Sequence, residues 1–378
     1  MSGTEKRRAD NFGGIDCRSN KKKSNKVLVA ISGGVDSSVA ALLLKQRGYD
    51  AETLTFWLWN YPNSPEYRGK ENACCSLSTA EIVADQLDLP HHEVDLSSEF
   101  ETEVVEHTIE QYVQGVTPNP CARCNRLVRF ELLRNQAEKM GFSSIATGHY
   151  VRTAEQDGLK YLLKGVDENK DQSYFLYGLG QEELEKAIFP VGDYTKEEIY
   201  DIAEEEDLVT AEVEESQDLC FVPEGDYRDF LKREAGDRID PGEIVDVEGN
   251  RLGEHEGLPF YTVGQRRGLG LENNQALYVV DLNYQNNRLV VGPEEELYSS
   301  GLIAVDCNWT TGSPPKKANL EVRIRYRATT VRSRVEATDD RVKVEFSEPQ
   351  KSVSPGQIAA IYDGEKLLGG GVIDRKLS

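Results

Sequence analysis

The segment Ser-Gly-Gly-Val-Asp-Ser-Ser at residues 32–38 has the composition of a phosphate-binding loop. Paired glycines let the backbone turn tightly so that its N–H groups face an anion, and serine hydroxyls add donors. The start of a following helix adds positive potential. We therefore predict a nucleotide phosphate site formed by Ser32, Gly33, Gly34, Val35, Asp36, Ser37 and Ser38. The loop departs from the GxxxxGK[ST] pattern because no Lys follows its glycines.

A second group of reactive residues consists of cysteines. Cys121 and Cys124 precede an amphipathic helical pattern, and Cys124 lies beside Arg123 and Arg126. A helix N-terminus and neighbouring cations both favour a thiolate. With the distant Cys220, this spacing suits a redox pair, a three-thiolate metal or iron–sulfur site, or a nucleophile with a sulfur-carrying partner. The residues alone leave these three alternatives open.

The complete set of seven cysteines indicates the compartment. Their number is odd, they are spread through the chain, and we find no secretory signal before them. We expect a reducing, cytoplasmic environment. Cys74, Cys75 and Cys307 are expected to be small buried residues.

The elements that must position these residues follow from hydrophobic patterning. From Lys26 onward, strand-like and helix-like segments alternate, which predicts an α/β fold with a parallel sheet. We predict a disordered basic tail over residues 1–25 and a nucleotide-binding domain over 26–210. A small central domain over 211–273 carries Cys220, and short β-like runs predict a C-terminal β-barrel over 274–378.

The charge balance restricts the partners. The chain has 44 basic and 66 acidic residues, a net charge of −22. Without the first 26 residues the net charge is −27, so a nucleic-acid partner requires a local basic face. Alternation over residues 322–327 predicts that Arg323, Arg325 and Arg327 share one strand face. No apolar run approaches the roughly 20 residues that span a bilayer, so no membrane-spanning segment is expected.

Three segments in the same order resemble the tRNA-specific 2-thiouridylases of the MnmA/TrmU family, which belong to the PP-loop ATP pyrophosphatases. They are residues 32–38, the sequence TPNPCARCN at 117–125 and SQDLC at 216–220. Supporting segments lie at 146–150, 170–176, 262–270 and 325–327. The resemblance implies that ATP, with Mg²⁺, adenylates the C2 oxygen of uridine 34 in the tRNA anticodon loop. Sulfur then replaces that oxygen to give 2-thiouridine, and AMP and pyrophosphate are released.

The resemblance also implies roles for individual residues. Cys124 corresponds to the nucleophile and Cys220 to the residue that carries a persulfide. Phe56 would lie against adenine, and Gly148 would approach the nucleotide. The target base and the rest of the tRNA would contact Asn119, Pro120, Cys121, Lys170, Asp171, Gln172, Arg325 and Tyr326. A sulfur donor is required, such as a persulfide-carrying protein or inorganic sulfide.

The chain departs from the family pattern at Cys121, where well-described members have an Asp that is regarded as an acid/base group. Three thiolates can hold a [4Fe-4S] cluster with one open iron. Cys121, Cys124 and Cys220 are therefore alternative cluster ligands, and the sequence leaves the cluster and the persulfide relay open.

Two other functions are compatible with parts of the chain. A small-molecule PP-loop ligase related to argininosuccinate or GMP synthetase would use the phosphate loop without requiring either cysteine segment. A non-catalytic tRNA-binding or sulfur-carrier protein would bind tRNA without forming AMP. Its phosphate loop would then have no role.

Overall fold

A computed structural model describes residues 25–59, 77–213, 219–222, 227–271 and 276–378. The predicted basic tail lies outside the described residues except for its last residue. Cys17, Cys74, Cys75 and residues 216–218 of the SQDLC segment also lie outside them.

The first layer is a five-stranded parallel sheet. Its strands are β1 (Lys26–Ala30), β2 (Asp50–Trp57), β3 (His91–Asp95), β4 (Ser144–Ala146) and β7 (Ala187–Ile188), in the order β3-β2-β1-β4-β7. Val27, Leu28 and Val29 of β1 are fully buried, as expected for a strand covered on both faces. The chain leaves β1 toward β2 on one side, while β4 lies on the other. A ligand crevice is expected at the carboxyl ends of such a strand pair.

Helices flank this sheet and continue into the central region. They are α1 (Val35–Gln46), α2 (Leu77–Gln86), α3 (Ser97–Phe100), α4 (His107–Val113), α5 (Pro120–Cys124), α6 (Glu131–Met140), α7 (Gln181–Lys186), α8 (Lys196–Glu205) and α9 (Tyr227–Ala235). Two π-helical stretches, Glu101–Glu106 and Asn125–Phe130, connect α3 to α4 and α5 to α6. The 3₁₀ turns are Ser173–Leu176, Val209–Glu212, Gly236–Arg238, Leu258–Phe260, Tyr284–Asn286 and Glu294–Leu297.

The central region contains a four-stranded sheet. Its strands are β8 (Gly242–Val245), β9 (Arg251–His255), β10 (Tyr278–Asn283) and β11 (Arg288–Gly292), in the order β10-β11-β8-β9. The boundary predicted after residue 273 falls inside this sheet, because β11 pairs with β8 across it.

The C-terminal strands form a closed antiparallel barrel, as predicted. They are β12 (Tyr298–Trp309), β13 (Asn319–Arg323), β14 (Val331–Ala337), β15 (Arg341–Lys351), β16 (Ile358–Asp363) and β17 (Lys366–Leu377). Pairing of β12 with both β15 and β17 closes the barrel. A hairpin of β5 (Val151–Gln156) and β6 (Leu159–Lys164) extends the same sheet, because β6 pairs with β17.

The predicted α/β fold, with a parallel-sheet domain, a small central domain and a C-terminal β-barrel, is thus confirmed. The alternation predicted over residues 322–327 is wrong, because β13 ends at Arg323 and the chain then enters a turn. Within the described ranges, no helix is both long and apolar enough to span a bilayer.

Candidate active site

The phosphate loop follows β1 directly and is held by its own hydroxyl groups. Gly33 has a φ of 78°, which favours glycine, and Gly34 caps the N-terminus of α1. The hydroxyls of Ser37 and Ser38 both donate to the Gly34 carbonyl oxygen, at 3.0 and 2.9 Å. Ser37 Oγ also accepts from the backbone N–H of Ser32 at 3.1 Å. The loop therefore wraps the N-terminus of a twelve-residue helix, a geometry suited to anions.

Asp36 brings two distant side chains to this loop. Its Oδ1 accepts a hydrogen bond from the Tyr150 hydroxyl at 2.6 Å and one from Lys196 Nζ at 2.6 Å. Lys196 is the first residue of α8, 160 positions away in the chain. Lys196 stands in an acidic helix and carries no motif signal, so the sequence alone does not indicate it.

Gly148 lies against the phosphate loop at the end of β4. A Cβ atom at this position would come within 2.7 Å of Asp36 C and Ser37 N. Only glycine fits without moving the loop backbone, which explains the close approach of the two segments.

The neighbouring His149 is buried and is hydrogen bonded through Nδ1 to Thr147 Oγ1 at 2.7 Å. Burial, assisted by the charge of Arg129, lowers the pKa of His149 to about 3. The imidazole is therefore neutral at physiological pH. Phe56 lies near the carboxyl end of β2, in the same apolar cluster as Cys124.

Cys121 and Cys124 lie on α5, whose start is well defined. The Asn119 side-chain oxygen accepts a hydrogen bond from the Ala122 N–H at 3.0 Å, and Pro120 occupies the first helical turn. Cys121 is half-buried, whereas Cys124 is only 5% exposed. Cys124 directly precedes a π-helical stretch, a feature frequent at functional sites.

The two arginines beside Cys124 are each engaged by an acid. Arg123 pairs with Glu103 at 2.9 Å, and Arg126 pairs with Asp306 on β12 at 3.0 Å. Their guanidinium groups therefore tie the cysteine helix to the stretch around Glu103 and to the barrel.

Cys220 lies in a short turn in which the Val222 N–H donates to the Leu219 carbonyl. The next residue, Phe221, is buried with its ring 6.0 Å from Phe100 and 5.3 Å from Phe230. Phe221 belongs to the same apolar cluster as Cys124, so both predicted sulfur-bearing residues border one core.

The sequence predicts Cys121, Cys124 and Cys220 as alternative cluster ligands. Cys121, Cys124 and Cys220 all lie within the described residues. In that part of the chain, no group of three or more His, Cys, Asp or Glu side chains is arranged to hold a metal ion. The half-buried Cys307 stands apart on β12, where burial and then Asp306 raise its pKa to about 12.

The barrel contacts the segment before α5 as well. Gln357 Nε2 donates to the carbonyl oxygens of Thr117 and Pro118, both at 3.0 Å, and the Thr117 N–H donates to Pro355. The cysteine helix is thus held by the barrel both before its first residue and just after Cys124. Sequence patterning gives no signal for Gln357 or for the Arg126 contact.

Comparison with known proteins identifies the family. A family model described as the tRNA methyl transferase HUP domain matches residues 25–224. Two further models match residues 228–293, a tRNA methyl transferase PRC-barrel domain, and 299–373, an aminomethyltransferase beta-barrel domain. A protein of Carboxydothermus hydrogenoformans named tRNA-specific 2-thiouridylase MnmA is 44% identical, covering 93% of this chain and 98% of its own length. The chain belongs to the MnmA family of tRNA-specific 2-thiouridylases. A relative of the same name from Chloroflexus aggregans is also 44% identical, over 92% of this chain and 98% of that protein.

A solved structure of the U34-tRNA thiolase NcsA from Methanococcus maripaludis with its [4Fe-4S] cluster is a more distant match. It has 17% identity and a TM-score of 0.34, covering 59% of this chain and 68% of that one.

The tRNA-contact residues expected from the MnmA family occupy different environments. Asp171 is only 2% exposed, accepts hydrogen bonds from the Gly165 and Ser173 N–H groups, and pairs with Arg323 at 2.8 Å. Gln172 accepts from the Tyr150 N–H at 2.9 Å. Asp171 and Gln172 therefore organise the backbone around them, while Lys170 is half-buried.

Arg325 and Tyr326 lie in the turn after β13. Arg325 is exposed and donates to the Lys351 carbonyl oxygen at 3.0 Å, and the Tyr326 ring packs 4.5 Å from Phe175. Arg323 instead turns inward to Asp171, so the predicted row of three arginines on one strand face does not form.

Proposed function

We propose that this protein is an ATP-dependent tRNA 2-thiouridylase that acts on uridine 34. The observation that carries the proposal is the presence of two features in the same chain. The phosphate loop lies at the carboxyl end of β1, and Cys124 shares an apolar core with Phe221, the neighbour of Cys220. A small-molecule ligase would have no use for the second feature, and a tRNA-binding protein would have none for the first.

The first step of the proposed reaction is adenylation. Residues 32–38 hold the pyrophosphate part of ATP, which binds with Mg²⁺. Gly148 lies close to the nucleotide, and Phe56 borders its adenine ring. The C2 oxygen of uridine bonds to the α-phosphorus, and the bond from that phosphorus to the bridging oxygen breaks. Pyrophosphate leaves with the electron pair. A poor leaving group on the base becomes a good one.

The second step is sulfur transfer, which we assign to Cys220 and Cys124. The terminal sulfur of a persulfide on Cys220 attacks C2, and AMP leaves. Cys124 then attacks the Cys220 sulfur, so that the S–S bond breaks and the transferred sulfur stays on the base. A disulfide between Cys124 and Cys220 remains and is reduced by an external thiol. Asn119, Pro120 and Cys121 border the base, which must leave the anticodon stack.

We propose the persulfide route in preference to a cluster, because Cys124 and Cys220 correspond to the nucleophile and the persulfide carrier of the MnmA family. Cys121 in this proposal shapes the base pocket and is not required for sulfur transfer. Lys170, Arg325 and Tyr326 are the proposed tRNA contacts. Asp171 and Gln172 act by shaping the adjoining backbone. The sulfur donor and the cytoplasmic location stay predictions.

The test is an assay with anaerobically purified enzyme, tRNA, ATP and a persulfide donor. Mass spectrometry measures 2-thiouridine, and a second assay measures tRNA-dependent AMP and pyrophosphate. Cys124→Ser and Cys220→Ser should abolish thiolation but retain adenylation, whereas Cys121→Ala should retain both. The proposal fails if AMP forms without tRNA on a small acceptor, or if tRNA binds and no AMP forms. Stoichiometric iron and sulfide that disappear with Cys121→Ala, together with thiolation, would establish the cluster route instead.

A further inference from the structure

The phosphate loop contains no cation, although its ligand is a polyanion. The body of the protein carries a net charge of −27 without the first 26 residues, so its overall field opposes nucleotide binding. Backbone N–H groups and a helix N-terminus supply only partial charges. Any cationic side chain that acts beside Mg²⁺ at this site must therefore come from outside the motif.

Lys196 supplies such a charge. Its Nζ lies 2.6 Å from Oδ1 of Asp36, a residue of the loop itself, and its side chain is only 12% exposed. We propose that Lys196 is a nucleotide-binding residue that contacts the β- and γ-phosphates of ATP and stabilises the departing pyrophosphate. This inference rests on the proposed adenylation of tRNA.

Contacts hold both the backbone and the ammonium group of Lys196 in place. Its backbone N–H donates to Asp167 Oδ2 at 3.0 Å, and the preceding Thr195 forms a capping box with Glu198 at the start of α8. At the other end, the ammonium lies 4.9 Å from the centre of the Tyr200 ring and 5.8 Å from that of Tyr150. A long side chain held in this way loses little conformational entropy when phosphate binds.

Asp36 keeps the ammonium beside the loop. The carboxylate also accepts the Tyr150 hydroxyl, and Tyr150 follows Gly148 by two residues. The contact therefore joins α8, the end of β4 and the phosphate loop. Because an ammonium can donate up to three hydrogen bonds, it can hold Asp36 and a phosphate oxygen together.

The chemical contribution follows from where charge develops. When the C2 oxygen bonds to the α-phosphorus, the bond to the bridging oxygen breaks and negative charge accumulates on pyrophosphate. A cation already in place stabilises that charge without reorganisation. No proton transfer is required for this contribution.

The alternative is that Lys196 only holds α8 against α1. The two roles differ in ligand selectivity: a phosphate contact affects ATP and pyrophosphate but not AMP, whereas a packing role affects all three equally. Lys186→Met is the matched control, because Lys186 also pairs with a carboxylate, Glu138, but on the surface near α6.

The experiment measures binding of ATP, pyrophosphate and AMP, and tRNA-dependent pyrophosphate release, for wild type, Lys196→Met, Lys196→Arg and Lys186→Met. For Lys196→Met we expect affinity for ATP and pyrophosphate to fall about tenfold, as for a lost hydrogen bond to a charged group. AMP affinity should stay within about twofold, and kcat should fall roughly 100-fold, as when an oxyanion donor is removed. Lys196→Arg should recover part of the loss, and Lys186→Met should match wild type.

A second measurement needs no variant. Lysine-reactive labelling of the wild-type protein, read by mass spectrometry, should show that ATP and pyrophosphate protect Lys196 while AMP does not. Labelling of Lys186 serves as the internal reference. Equal loss of ATP and AMP affinity in Lys196→Met, or labelling of Lys196 that pyrophosphate does not change, overturns the inference. If wild type itself releases no pyrophosphate with tRNA, the proposed function fails instead.

Discussion

Arg126 and Asp306 form a 3.0 Å ion pair between the helical segment that carries Cys124 and strand β12 of the barrel. The Arg126 side chain passes over Gly178, where a Cβ atom would lie 2.8 Å from Arg126 Cδ. Asp306 has a φ of 49° and lies where the register of β12 against β17 shifts. This bulge in the barrel thus directs the Asp306 carboxylate toward Arg126, which lies two positions after the proposed nucleophile Cys124.

Breaking this pair should weaken the link between tRNA binding and sulfur transfer. For Arg126→Met and Asp306→Asn we expect a several-fold lower kcat for thiolation with an unchanged affinity for ATP, since the phosphate loop is on another element. Steady-state thiolation and nucleotide binding measure both quantities. Arg251→Met, which removes an exposed pair with Glu254, is the control. If Arg126→Met and Arg251→Met lower kcat for thiolation equally, the proposed coupling between the barrel and the cysteine helix is contradicted.

The buried pair of Asp171 and Arg323 should matter mainly for stability. Because Asp171→Ala leaves a buried guanidinium and two backbone N–H groups without this carboxylate, we expect a loss of about 3 to 5 kcal/mol in unfolding free energy. Asp363→Ala removes an exposed pair with Lys317 and should cost no more than about 1 kcal/mol. Denaturant titration compares the variants, and similar small losses would refute a structural role for Asp171.

Gly148→Ala should damage the nucleotide site selectively. The added methyl group would collide with the Asp36 and Ser37 backbone and displace the loop, so ATP affinity should fall at least about tenfold, the equivalent of one lost charged hydrogen bond. Gly236→Ala is the control, because a Cβ there meets no atom within 4 Å. Calorimetric titration with ATP tests the difference. If the ATP affinity of Gly148→Ala is unchanged, the phosphate loop can accommodate the added methyl group and the prediction is wrong.

His149 should make stability depend on pH. Because burial lowers its pKa to about 3 from 6.5, the unfolded state takes up a proton between these values that the folded state does not. The contribution of neutral His149 to the free energy of unfolding is fully present above pH 6.5. It decreases as the pH falls, and about 2 kcal/mol of it is lost at about pH 5. His149→Gln should therefore flatten the melting midpoint against pH in this window. Parallel curves for wild type and variant would show that His149 titrates normally.

The sequence predicts the parts of the site that are local in the chain. Residues 32–38, with the strand before them and the helix after them, carry a complete strand–loop–helix signal, and an amphipathic helical pattern follows Cys121 and Cys124. Lys196 and Asp306 reach the site only through tertiary packing, so no pattern around them indicates it. Strand alternation fails for Arg325 and Arg327, because β13 ends at Arg323 and the side chain of Arg323 is directed by the buried acceptor Asp171.

The pairing of hairpin strand β6 with β17 limits how the protein can be divided. Residues Leu162 and Leu163 of the N-terminal domain lie opposite Leu367 and Lys366 of the barrel. A fragment that ends before the barrel would expose β6, with its sequence LKYLLK, as an unpaired edge strand, which is a site for aggregation. The nucleotide-binding domain is therefore a poor choice for expression in isolation, and its activities are best measured in a chain that retains β17.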